Sequence, residues 1–141
     1  MSSFPRVVPM LSYEDCGASA EWLCRAFGFE ERERYADDEG TVTHVELRLG
    51  DGVVFLGHPG PDYRSPRRHR EECASAARWS HVPYVIDGVW VAVEDVDVHF
   101  ARAHEAGATI LSGVEDTPVG RHYRAEDPEG HRWMFSEDAP A

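Results

Sequence analysis

The sequence predicts an α+β protein of two βαβββ modules that together form a curved, mostly antiparallel sheet around a cleft, and three observations carry that prediction. First, "SYEDCGASAEWLCRAFGF" and "AVEDVDVHFARAHEAGAT" follow one plan: a strand ending in Glu-Asp, a helix, and a closing glycine, with Gly28 thirteen residues after Asp15 and Gly107 twelve after Asp95. Second, the apolar period switches between strand alternation and helical spacing in the same order in each half. Third, from Pro59 to Ser80 the composition turns to Pro, Arg, Ser and Glu with no sustained period, which marks a connection. The expected organisation is a first module over 1–58, a linker over 59–84 and a second module over 85–141, one structural domain in all.

Each element has its own local reason. "RVVPMLSYED" (Arg6 to Asp15) reads as a strand running into an acidic helix cap; Ala20, Leu23, Cys24 and Phe27 then share a helical stripe that Gly28 closes. "EERERYADDEG" is a polar strand and turn. In "TVTHVELRLGDGVVFLG", Val45, Leu47 and Leu49 share one face and His44, Glu46 and Arg48 the other, with the hairpin turning at Gly50 to Gly52. The second half gives a strand through "GVWVAV", a cap at Glu94-Asp95 and a helix stepping through Val98, Ala101, Arg102 and Glu105. Its last hairpin turns at Asp127-Pro128-Glu129-Gly130.

The 141 residues, 42% of them hydrophobic, are enough to fill one core, or one core shared by two halves. Lys and Arg number 14 against 26 Asp and Glu, a formal charge of -12, so the average surface repels nucleic acid and anionic lipid, and neither is expected as a partner. The basic cluster "RSPRRHREE" (Arg64 to Glu72) is followed at once by acids and is expected to be a solvated loop. No apolar run approaches the roughly 18 residues of a membrane span, and "MSSFPRVVPM" lacks a signal-peptide core, so a cytoplasmic location is expected. Cys16, Cys24 and Cys73 are odd in number and match no C-x-x-C spacing, which points to inert thiols in a reducing compartment. Phosphate-binding glycine loops, the G-x-S-x-G elbow and H-E-x-x-H are all absent. His58, His69 and His81 fall in loop or linker. His99 and His104 are five apart, on different helix faces, and read as surface or hydrogen-bonding groups.

The paired order, with "YEDCGASAEWLCRAFGF", "THVELRLGDGVVFLG", "VEDVDVHFARAHEAGATI" and "DPEGHRWMF", resembles the vicinal oxygen chelate superfamily, and within it the glyoxalase/bleomycin-resistance proteins. That resemblance covers nearly the whole chain outside the linker. It implies the glyoxalase/bleomycin resistance fold and a homodimer. It leaves activity open, because the superfamily includes isomerases, ring-cleaving dioxygenases, thiol transferases and drug-binding proteins.

The metal enzymes of this superfamily hold one divalent ion with His, Gln or Glu from the first and fourth strand of each half. By that correspondence the four ligand positions fall on Val8, Phe55, Gly88 and Met134 in this sequence. Val8 is seven residues before Asp15 and Met134 seven after Asp127. None of the four suits a hard or borderline ion. Shifting each by one residue offers only Asp87 as a donor, so no metal and no other cofactor is expected, with a divalent metal as the alternative.

Strand parity then lists the cleft face as Met10, Ser12, His44, Glu46, Arg48, Phe55, Trp90, Ala92, Arg132, Met134 and Ser136, with Arg124 nearby. Large apolar surfaces with a few polar anchors are the make-up of a small-molecule pocket. Trp90 can stack on a planar ligand, and Arg48, Arg124 or Arg132 can fix an anion. His44 and Glu46, two apart on one strand face, are the candidate base and its orienting partner. The reading is a protein that binds a small, partly aromatic or amphipathic molecule without a metal, in a sequestering or resistance role. The alternatives are a metal-dependent lyase or isomerase of glyoxalase type, an extradiol-type dioxygenase, or an accessory protein with a vestigial pocket.

Overall fold

The chain places β1 (Met10–Ser12), α1 (Cys16–Phe27), β2 (Glu30–Ala36), β3 (Val42–Leu49) and β4 (Gly52–Gly57) in its first half. Then come α2 (Pro66–Glu72), α3 (Ala74–Trp79), β5 (Gly88–Ala92), α4 (Val96–Glu105), β6 (Thr109–Thr117), β7 (Gly120–Glu126) and β8 (Arg132–Asp138). The computed structural model describes residues 4–138. Two compact units divide at Ser65 and Pro66, within the segment read as the linker. Each unit carries an open four-stranded sheet of the same plan, β1-β4-β3-β2 in the first and β5-β8-β7-β6 in the second. The β1–β4 and β5–β8 pairs are parallel and the rest antiparallel, so each βαβββ module is α+β with a mixed sheet. Among the described residues no helix is long and apolar enough to cross a membrane.

In the first unit the helix begins where Asp15 turns the chain: its carboxylate accepts from the Ala18 amide at 3.0 Å. The helix ends at Gly28, whose left-handed φ of 86° lets its amide return to the Cys24 carbonyl. α1 packs on β2, β3 and β4. It buries Ala20, Leu23 and Phe27 against a sheet that contributes Val45, Leu47 and Leu56, as the alternation requires. Large side chains buried this way contribute roughly 1.5–3 kcal/mol each, so truncating Leu23 to Ala, at the centre of this packing, should cost about 2–5 kcal/mol. β1 is shorter than the strand read over Arg6 to Asp15. Pro9 has no amide to give the ladder, and only its carbonyl (to Phe55 N, 2.9 Å) and the Tyr13 amide (to Gly57 O, 2.8 Å) extend the pairing.

The second unit repeats the scheme, with Asp95 accepting from the Val98 amide at 3.2 Å. That cap sets the phase of α4, and the expected stripe is corrected. Val98 is 65% exposed, while Val96 and Ala103 are buried. Phe100 lies edge-on to Tyr123, and His99 stacks near Phe135 with 4.2 Å between ring centres. His99 is thus a hydrogen-bonding residue of the helix–sheet layer, its Nδ1 2.6 Å from the Tyr123 hydroxyl. Burial pushes the Tyr123 phenol up from its ordinary value.

The Pro59 to Ser80 stretch is not devoid of regular structure. α2 and α3 occupy much of it, and neither buries a residue, so no apolar stripe betrayed them. The basic cluster is accordingly corrected from a solvated loop to a helix. Its Arg67 amide donates to the Glu129 carbonyl at 3.0 Å, and Arg67 Nη1 to the Pro128 carbonyl at 3.2 Å, fastening α2 to the β7–β8 turn.

Candidate functional site

In each unit the helix covers one face of the sheet, and the candidate residues stand on the other. In the first unit the cross-strand register makes rows. Met10 is opposite Phe55, which is opposite Glu46; Ser12 is opposite Gly57, then His44, then Tyr35. His44 Nε2 lies 3.1 Å from Glu46 Oε2, its ring edge-on to Phe55 at 5.0 Å. The pair can hold a proton and orient the ring that carries it, the minimum a general base requires. Arg48 is exposed and reaches Glu30 at 3.2 Å, an ion pair in open solvent that contributes little. Arg48, Arg32, Val53 and Phe4 line an open hollow of about 470 Å³.

In the second unit one row crosses all four strands: Trp90, Met134, Arg124 and Ser112. Trp90 is 57% exposed. The Arg124 guanidinium carbon lies 4.4 Å from the centre of the Tyr84 ring, a cation–π contact. Ser112 Oγ is buried with no hydrogen-bond partner among the described residues. Arg124, Arg132, His81, Val82, Pro83 and Leu111 surround a smaller cavity of about 210 Å³, with Ser80 at its edge.

Arg132 shares the open face with Met134 but is only 6% exposed. Its Nε donates to Glu126 Oε2 at 3.0 Å and its Nη2 to the Ser80 carbonyl at 2.6 Å. Glu126, 2% exposed, also takes both terminal nitrogens of Arg70 from α2. Burial alone would raise the Glu126 carboxyl; hydrogen bonds from Arg70 and Arg132 outweigh it and hold the group below its ordinary value. Sequence reasoning gave no site role to Glu126, Ser80 or Tyr84, and placed His81 in a loop or linker and Arg70 in a solvated basic cluster. Parity does carry a signal for Glu126, two residues after Arg124 on the same strand, but nothing in the sequence brings α2 onto it.

The four positions where metal-dependent relatives carry ligands can be tested directly. Val8 and Phe55 offer no donor atom, and Met134 only a thioether. Gly88 is closed as well as bare: a Cβ built there would stand 3.0 Å from the Arg132 carbonyl oxygen, so a ligating side chain requires the neighbouring backbone to give. Among the described residues no group of three or more His, Cys, Asp or Glu gathers in a way that could hold an ion. The residues present do not fit a hard or borderline divalent ion at these positions.

The comparisons agree with this architecture. The model of the Glyoxalase/Bleomycin resistance protein/Dioxygenase superfamily matches residues 6–135. TioX from Micromonospora sp. ML1 is similar at 35% identity and a TM-score of 0.69, over 97% of this chain and 98% of that one. Uncharacterized protein Mb0911c of Mycobacterium bovis (strain ATCC BAA-935 / AF2122/97) is 28% identical over 138 residues, 94% of this chain and 83% of its own length. TnmS3, an antibiotic binding protein from Streptomyces sp. CB03234, shares the fold at 18% identity and a TM-score of 0.62, over 96% of this chain and 98% of its own. With its fold, its repeat and its sequence in agreement, the chain belongs to the glyoxalase/bleomycin resistance protein/dioxygenase superfamily.

Proposed function

We propose that this protein binds a small, partly aromatic or amphipathic molecule on its open sheet faces, without the metal of its catalytic relatives, in a sequestering or resistance role. The observation that carries the reading is the row Trp90–Met134–Arg124. It sets an exposed indole, a deformable thioether and a guanidinium side by side on one face, a surface suited to a flat ligand with one polar group. The bare positions Val8, Phe55, Gly88 and Met134 support the metal-free part. TnmS3, an antibiotic binding protein of the same fold, supports the choice of ligand type. A homodimer located in the cytoplasm belongs to the same proposal, and light scattering on the eluted protein tests the dimer.

The deciding experiment is elemental analysis after incubation with nickel, zinc, iron and manganese and extensive dialysis. The expected result is far less than one equivalent of retained metal per chain. Retention near one equivalent replaces the proposal with a lyase or isomerase of glyoxalase type, or a dioxygenase. A fluorescence screen of planar antibiotics, with Trp90→Phe as the control, then tests binding. A chain whose emission and melting temperature no ligand shifts is an accessory protein with a vestigial pocket.

A further inference from the structure

The small cavity of the second unit has an uneven charge balance. One carboxylate, Glu126, sits between two guanidiniums, Arg70 and Arg132, so the buried cluster carries one net positive charge. Arg124 adds a second, since among the described residues it makes no ion pair and lies only against the Tyr84 ring. Among the described residues no acid lines the cavity. In a chain with a formal charge of -12, this is a concentrated positive spot walled by Val82, Pro83 and Leu111.

The geometry divides the labour between the two arginines. Arg132 spends Nε on Glu126 and Nη2 on the Ser80 carbonyl, which fixes the Ser80–Pro83 wall of the cavity, and among the described residues Nη1 makes no hydrogen bond. Glu126 is therefore a positioning residue: held by Arg70, it orients Arg132 and through it the wall. Arg124 is the cation still free to meet a ligand. It is steadied from one side by Tyr84, a non-glycine residue at a left-handed φ of 63°, the kind of backbone outlier that surrounding structure must impose.

We propose that this site recognises a carboxylate borne on an aromatic ring, with Arg124 as its principal anchor, Arg132 Nη1 as a second donor, and Trp90 and Met134 as the surface for the ring. The inference rests on the small-molecule reading above and names its ligand class. About 210 Å³ is below the roughly 300–1,000 Å³ of a pocket that swallows a whole drug-sized ligand, so the cavity takes one end and the row leading from Arg124 to Trp90 takes the rest. A planar carboxylate suits a guanidinium fork. A phosphate site would be expected to offer backbone amides, and the Ser80–Pro83 segment has none to give. The His81 amide donates to the Arg78 carbonyl at 3.3 Å, the Val82 amide to the Trp79 carbonyl at 2.9 Å, and Pro83 has no amide proton.

The test compares 2-naphthoate with 2-naphthamide, one ring with and without the charge, titrated into the full chain at pH 7 and followed at the Trp90 indole and Arg124 signals by NMR. The acid should bind about tenfold tighter than the amide, as one charge-assisted contact provides. Arg124→Gln should bring the two to parity, and Arg124→Lys should restore part of the difference. Glu126→Gln should weaken the acid more than the amide, which a merely loosened fold would not do. Equal binding of acid and amide to the unaltered protein overturns the carboxylate inference while the binder reading stands. A preference for the acid that survives Arg124→Gln overturns the placement. Binding of neither probe removes both the inference and the reading beneath it.

Discussion

Arg70 closes on Glu126 with both terminal nitrogens, Nη1 to Oε2 at 2.8 Å and Nη2 to Oε1 at 2.9 Å, and so ties a helix without a buried residue to the end of β7, an inner strand of the second sheet. The pair works by geometry and charge where apolar burial is missing. Because Oε2 also receives Arg132, the carboxylate cannot be removed without leaving two guanidiniums to face each other.

Glu126→Gln should therefore cost about 3 kcal/mol, the usual effect of breaking a buried pair, measured by urea unfolding at pH 7. The pH dependence has a definite sign. A carboxyl held below its ordinary 4.5 contributes stability that is present above that value and lost as pH falls through the lower folded value. The variant should lack this acid-side loss. An unchanged acid limb would mean that other carboxylates govern it.

Tyr123→Phe removes the hydroxyl that meets His99 Nδ1 at 2.6 Å and should cost about 1–2 kcal/mol by thermal unfolding. The unaltered protein should also lose stability as pH rises above the ordinary phenol value of 10.0. There the unfolded chain ionises while the buried phenol still holds its proton. The Phe variant should show a smaller alkaline loss.

Gly130→Ala should be clearly worse than Gly40→Ala, although both glycines have similar left-handed φ angles, 90° and 85°. At Gly40 nothing lies within 4 Å of an added Cβ, so the cost is conformational, about 1 kcal/mol. At Gly130 the added atom would stand 2.7 Å from the Arg67 amide nitrogen and push α2 off the turn. Equal melting temperatures for the two variants would show that this docking contributes nothing.

Trp90→Ala should change stability by no more than about 0.5 kcal/mol, because most of the indole is already in solvent. The same change should abolish ligand-induced fluorescence shifts. A large loss of stability would instead assign Trp90 to packing.

Much of the fold could be read from local rules. Asp15 and Asp95 cap their helices as the Glu-Asp signals predict, Gly50 and Asp51 turn the hairpin, and the alternation in β3 puts Val45 and Leu47 in the core with His44 and Glu46 on the other face. The α4 stripe is not legible from Val98, which is apolar but two residues, about 200° of helix, from Val96 and so on the face away from the buried Val96 and Ala103. A short helix with few apolar residues gives its period little weight.

The sequence alone determined the repeated βαβββ plan, the family, and which side chains share a sheet face, because caps, turns and alternation are local and survive without knowledge of neighbours. Tertiary structure decided what those side chains are free to do. Arg124 and Arg132 look alike in sequence, two cations on adjacent strands, yet Arg132 is committed to Glu126 and Ser80 while Arg124, without an ion pair among the described residues, lies over the Tyr84 ring. Part of the difference is the hairpin neighbour Glu126, directly opposite Arg132; the rest comes from Arg70, Ser80 and Tyr84, dozens of positions away and brought in by α2 and the segment after α3. A charge's availability depends on which partners the fold carries to it, and no local rule records that distance.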